Sequence, residues 1–183
     1  GVESLEPDIA VPQTMADTLA GRDTAVEWLL AHPETLEQRE YPDAPLTRGR
    51  FVGLLYAAAG SPAAAAEAGF QDLLSIEWFL PAVNWAAETG VTGGTAEGAF
   101  AAARHLTWQE AAVFLVRTVE ALGLEPEAVR TAPLPDALAE GAWDQTALEL
   151  AWEWGLLPED AGSAAEIARV QGGAMADAFA ALL

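Results

Sequence analysis

The strongest constraint on this chain is a helix start that recurs about every 60 residues, somewhat above the usual solenoid period. The three starts read Thr47-Arg48-Gly49-Arg50-Phe51, Thr107-Trp108-Gln109-Glu110-Ala111 and Val170-Gln171-Gly172-Gly173-Ala174. Each opens an apolar stripe with steps of three and four residues, the mark of a helix with one buried face. The first stripe is Phe51, Leu54, Leu55 and Ala58. The second is Ala111, Phe114, Leu115, Thr118, Val119 and Leu122, and the third Met175, Ala178, Phe179 and Leu182. An earlier helix precedes each start: Ala25-Val26-Glu27-Trp28, Ala82-Val83-Asn84-Trp85 and Ala147-Leu148-Glu149-Leu150 align. Pro81 lacks an amide hydrogen and fits only a first turn, so the second of these helices is expected to begin near Trp78.

Boundary signals agree with this division. Thr107 and Glu110 form a capping box, in which the hydroxyl accepts a free amide and the carboxylate reaches back. Leu46 and Phe51 flank Thr47 at the spacing of a hydrophobic staple. Gly60, Gly90, Gly123 and Gly155 stand where helices should stop. No alternating strand pattern appears. The expectation is an all-α chain of three helix–loop–helix units, at about 15–60, 70–124 and 134–183, with an extra helix near Met15 to Leu19. A lone helix pair leaves too much apolar surface exposed, so the three are expected to share one core as a single tandem-repeat domain.

Composition excludes several functions. The 183 residues carry 28 acids against 8 basic residues, all Arg, for a net charge of −20, which repels nucleic acid and anionic lipid surfaces. Zero Cys removes thiol chemistry and thiolate metal sites. His32 and His105 are isolated, so no metal site is expected. The scattered acids show no nucleophile–base constellation, and Gly93-Gly94 reads as a turn because no Gly-Lys-Ser/Thr follows. No apolar run is long and clean enough to insert in a membrane. Starting at Gly1 without Met, the sequence reads as a processed or excised fragment.

One stretch is more specific. Phe70-x-Asp72-Leu73, Trp78, Ala82-Val83, Gly90-Val91, Gly98-Ala99-Phe100 and Leu106-Thr107-x-x-Glu110 together resemble an S-layer homology repeat, with weaker copies on either side. The resemblance implies a three-pronged spindle around a pseudo-threefold axis, with ligand grooves between prongs. It also implies a non-catalytic, cofactor-free module on a bacterial cell surface. Such a module binds a cell-wall polysaccharide or peptidoglycan-linked polymer. The other reading is a scaffold that keeps the fold and binds a surface-layer or other surface protein instead.

In the family the Arg of a Thr-Arg-Ala-Glu signature faces a groove that holds an acidic, often pyruvylated, sugar. Free amides and the helix dipole at that end favour an anion, and the guanidinium matches a carboxylate. Here only Thr47-Arg48 keeps the pair. Arg50 replaces the Glu of the first copy, Trp108 the Arg of the second, and Val170 and Gln171 the Thr and Arg of the third. The groove candidates are therefore Thr47, Arg48, Arg50, Asp72, Thr107, Trp108 and Gln171. Arg48 reads either as a ligand contact or as a surface ion pair, and Trp108 as packing or as a stacking platform. Asp72 orders a loop or lines a groove. Trp78, Trp85 and Trp143 are expected in the core, whereas Trp152 and Trp154, two apart on a helix, cannot both face inward.

Overall fold

The chain segment ahead of one long helix is stitched to the equivalent segments of two others. A computed structural model describes residues 42–183 apart from 74–76, 97, 140–142 and 164–165. The Leu46 amide donates to the Ile167 carbonyl at 2.7 Å, and the Leu106 amide to the Leu46 carbonyl at 2.9 Å. Isolated antiparallel bridges, Pro45 with Ala168 and Thr47 with His105, lie on the same seam. Leu46, Leu106 and Ile167 immediately precede three N-caps and are all fully buried. Gly172 belongs to this junction: a Cβ there would stand 2.7 Å from a Leu46 methyl.

Six helices follow among the described residues. They are α1 (Arg48–Ala58), α2 (Leu80–Glu88), α3 (Trp108–Ala121), the single turn α4 (Asp136–Ala139), α5 (Gln145–Glu153) and α6 (Arg169–Ala180). No strand forms among these residues, so the all-α expectation holds for them. The expected extra helix near Met15 to Leu19 and the first copy's short helix at Ala25 to Trp28 lie outside the described residues.

Local chemistry explains the boundaries. Thr107 and Glu110 form both halves of the capping box at α3. Thr47 caps α1 by accepting the Arg50 amide, and Asp144 caps α5 by accepting the Ala147 amide at 3.1 Å. Pro81 sits in the first turn of α2, which starts at Leu80. The chain reverses after α1, α2, α3 and α5 at Gly60, Gly90, Gly123 and Gly155, each with positive φ.

The third start needs correction. Alignment on Val170-Gln171 puts it two residues late; the helix begins at Arg169 with Ala168 as N-cap. Ala168 has no side chain that can cap, so the sequence carries no signal there. The register that the structure gives is Ala168-Arg169-Val170-Gln171 against Thr47-Arg48-Gly49-Arg50. The third start therefore retains an Arg at the signature position, and Gln171 stands where Glu110 stands in the second.

Packing joins helices that are distant as well as adjacent in the chain. Helix α1 packs on α2 and on α6 and touches α3, while α3 packs on α5. Each of the long helices α1 and α3 thus pairs with the shorter helix that follows it, α2 and α5. Tyr56 meets Trp85 at 5.7 Å between ring centroids across α1 and α2, and Phe51 meets Phe114 at 6.4 Å across α1 and α3. One continuous apolar cluster includes Leu46, Phe51, Trp85, Phe100, Leu115, Leu148, Ile167 and Phe179.

Two of the tryptophan expectations fail. Trp85 is buried, but Trp78 and Trp143 are 41% and 64% exposed. Both precede the first residue of their helices, so helical spacing does not govern which way they point. Trp152 is buried, with Arg130 over its ring at 4.3 Å, and Trp154 is half-buried.

Candidate functional site

Arg48 is the first residue of α1 and only 3% exposed. Its Nε donates to the Phe100 carbonyl at 3.1 Å and its Nη1 to Glu110 Oε1 at 2.9 Å. Phe100 and Phe114 flank the guanidinium at 5.1 and 5.0 Å from their ring centroids, a cation–π arrangement. Burial pushes this guanidinium below its ordinary pKa, and the Glu110 carboxylate opposes that shift.

Glu110, in the first turn of α3, is the hub. Its Oε1 accepts from both Arg48 and Arg104, and its Oε2 accepts from the Thr107 amide at 3.3 Å. The capping carboxylate thus also gathers two cations from other parts of the chain. From Glu110 the cleft runs along one face of α3 through Val113, Phe114 and Arg117, at positions i, i+3, i+4 and i+7.

Opposite stands the loop Thr92-Gly93-Gly94-Thr95, and Trp143 closes one side. The Thr92 hydroxyl accepts the Gly94 amide at 3.1 Å. Gly94 has φ +84, and a Cβ there would come within 2.5 Å of the Ala99 carbonyl oxygen, so only glycine fits. The cleft encloses about 300 Å³, at the small end for ligand sites.

Asp72 positions the floor from outside. Its two carboxylate oxygens accept the Phe100 amide at 2.9 Å and the Ala101 amide at 2.7 Å. The Phe100 amide first, then that of Ala101, holds this carboxyl below its ordinary value, with burial opposing. Phe100 in turn presents its carbonyl to Arg48. Asp72 therefore acts on Arg48 through one residue of backbone.

Residues 69–112 match the S-layer homology domain. S-layer homology domains are non-catalytic modules of cell-wall anchoring. The matched span contains α2, the Thr92–Thr95 loop, Arg104 and the capping box of α3, hence much of the cleft wall. No curated protein matches the chain.

Of the seven candidates read from the S-layer homology pattern, Arg48 alone lines the cleft. Thr47 and Thr107 spend their hydroxyls on capping. Trp108 is 6% exposed and packs in the core, which removes it as an open stacking platform. Arg50 is buried near Arg169, and burial followed by that like charge pushes its pKa down to about 10. Gln171 accepts the Ala168 amide at 2.9 Å and donates to Asp160 at 2.8 Å.

The start of α1 offers no free amide to an anion at its first three residues. The Arg48 amide donates to the Arg104 carbonyl and the Gly49 amide to the Ala102 carbonyl, both at 3.0 Å. The Arg50 amide donates to Thr47 Oγ1. The first three amides of α1 are thus engaged, and positive charge at this site comes from side chains.

The sequence pattern gave Glu110 only a capping role and placed Trp143 in the core, and it named neither Arg104 nor Arg117 for the cleft. A usable signal for Arg117 was its place on the Glu110 face of α3, in a chain with only eight basic residues. Nothing local announces Arg104 or Trp143, which reach the cleft through tertiary folding.

Proposed function

We propose that this chain is a non-catalytic cell-surface module that holds an acidic sugar of a bacterial cell-wall polysaccharide in the Arg48 cleft. The sugar is pyruvylated if the family pattern extends to this chain. What carries the reading is the convergence of Arg48, Arg104 and Arg117 in one cleft of a protein whose net charge is −20. Arginine supplies planar, paired donors suited to a carboxylate. Trp143 offers an exposed ring at the rim, and rings of that kind suit the apolar face of a sugar. The Thr92–Thr95 loop adds hydroxyl and backbone partners for neutral sugar oxygens.

In this reading residues 69–112 are the middle member of three tandem repeats, with units near 15–60 and 134–183 on either side in one domain. The recurrence of N-caps at Thr47, Thr107 and Ala168, joined by backbone hydrogen bonds, supports a pseudo-threefold arrangement. The module works outside the cell at the wall; no helix among the described residues is long and apolar enough to cross a membrane.

The test is co-sedimentation with purified wall sacculi. Sacculi are expected to retain the protein, with retention reduced by Arg48→Ala and abolished by stripping wall-linked polymers. A scaffold that binds another surface protein is favoured by Trp108, which replaces the signature Arg of the second start, and by Ala168, which replaces the Thr of the third. Retention indifferent to both treatments, with self-association or protein binding instead, selects that scaffold.

A further inference from the structure

Resting on that reading, we infer that the Arg48 cleft selects a polymer terminus bearing two anionic groups separated by about the span of a sugar ring, not one. Three guanidinium groups line the cleft and a single carboxylate, Glu110, offsets them. Glu110 Oε1 is shared by Arg48 and Arg104, so that cluster keeps one uncompensated positive charge. Arg117 adds another and makes no ion pair among the described residues. Two unmatched cations thus face a cleft of about 300 Å³.

Their spacing matters as much as their number. Glu110 and Arg117 are seven residues apart on α3, roughly 10 Å along its axis. Arg48 and Arg104 gather at the Glu110 end, and Arg117 stands about two turns on. A single carboxylate satisfies one end and leaves the other cation without a partner. Arg48 contributes as a fixed element: Nε and Nη1 are committed to Phe100 and Glu110, and two phenyl rings hold the plane. Its Nη2 makes no hydrogen bond among the described residues. Arg104 is held on Glu110 at one end, and Arg117, exposed at the other, adjusts to a second group. A protein of charge −20 repels anions at long range, so binding relies on pairing each anionic group at short range.

The experiment titrates the whole chain with three soluble sugars by calorimetry. They are glucuronic acid, with one carboxylate, glucose 1-phosphate, with one phosphate, and glucuronic acid 1-phosphate, with both across one ring. The doubly substituted sugar is expected to bind about tenfold or more tighter than either of the others, the worth of one added charge-assisted hydrogen-bonded pair. Arg117→Gln should shrink that ratio towards one; the side chain is exposed and unpaired, so the variant keeps its fold, which its melting curve checks. Equal affinity of all three sugars, a glucose 1-phosphate affinity matching that of the doubly substituted sugar, or a ratio untouched by Arg117→Gln overturns the inference. If Arg48-dependent retention on sacculi persists in those cases, only the two-group requirement is lost. Absence of both sugar binding and retention takes the underlying wall-binding reading with it.

Discussion

The starts of α3 and α6 both lie against the segment that leads into α1, yet their third helical residues take partners of opposite charge. At α3, Thr107 and Glu110 complete a capping box, and the spare acceptor capacity of Glu110 draws in Arg48 and Arg104. At α6, Ala168 offers no cap and Gln171 keeps only the reach-back bond, while its amide nitrogen turns to Asp160. Glu110 gathers two cations and borders the Arg cleft; Gln171 gathers an acid, beside Arg169 and Arg50. The side chain at the third helical position thus sets the sign of its own partner: a carboxylate takes guanidinium groups, and an amide takes a carboxylate.

The sharpest way to break this contrast is to delete both side chains. Glu110→Ala strands the nearly buried Arg48 without its counter-charge and removes half the capping box. The expected loss is about 3 kcal/mol, near the low end for breaking a buried pair because Glu110 itself is 14% exposed. Gln171→Ala removes one neutral reach-back bond and should cost about 1 kcal/mol. Urea unfolding of the two variants checks this, and equal losses contradict the hub role of Glu110.

The contrast can also be repaired. Ala168 already has the extended backbone of an N-cap, φ −78 and ψ 156, so Ala168→Thr supplies the missing hydroxyl. A gain of about 1 kcal/mol is expected from thermal or urea unfolding.

Asp72 gives a smaller effect with a defined sign. Its folded-state pKa lies below the ordinary 3.8, so its contribution is fully present above that value. It is lost as pH falls through the lower folded value. Being largely exposed, it should contribute under about 1 kcal/mol. Asp72→Asn should flatten the acid limb of a stability–pH curve by that amount.

The smallest expected effect is at the exposed pair His105 and Glu166, at 3.1 Å. His105→Asn should shift stability by no more than about 0.5 kcal/mol at any salt concentration. A larger change would mean that this contact ties the second and third starts directly, which the backbone seam joins only through the segment at Leu46.

What was legible in the sequence was local. The capping box, Pro81 and the four helix-ending glycines each reveal themselves within a few residues, because capping and positive φ are satisfied within a turn. The third start was misplaced by two residues, since Ala168 gives no capping signal and Val170-Gln171 imitates one. Trp78 and Trp143 were misjudged because stripe logic extends only to residues inside a helix. The cleft was the least legible feature. Arg48 was singled out, but its partners Phe100 and Glu110 lie 52 and 62 residues away. No periodicity marks pairs that meet only after α1 and α3 have packed.

The most direct test of the account is to record the Arg Nε–Hε resonances of the labelled protein while adding soluble wall-polymer fragments. The account predicts that Arg48, Arg104 and Arg117 shift together and saturate at one concentration, while Arg130, against Trp152, stays in place. Shifts centred elsewhere, or none at polymer concentrations that hold the protein on sacculi, would contradict it.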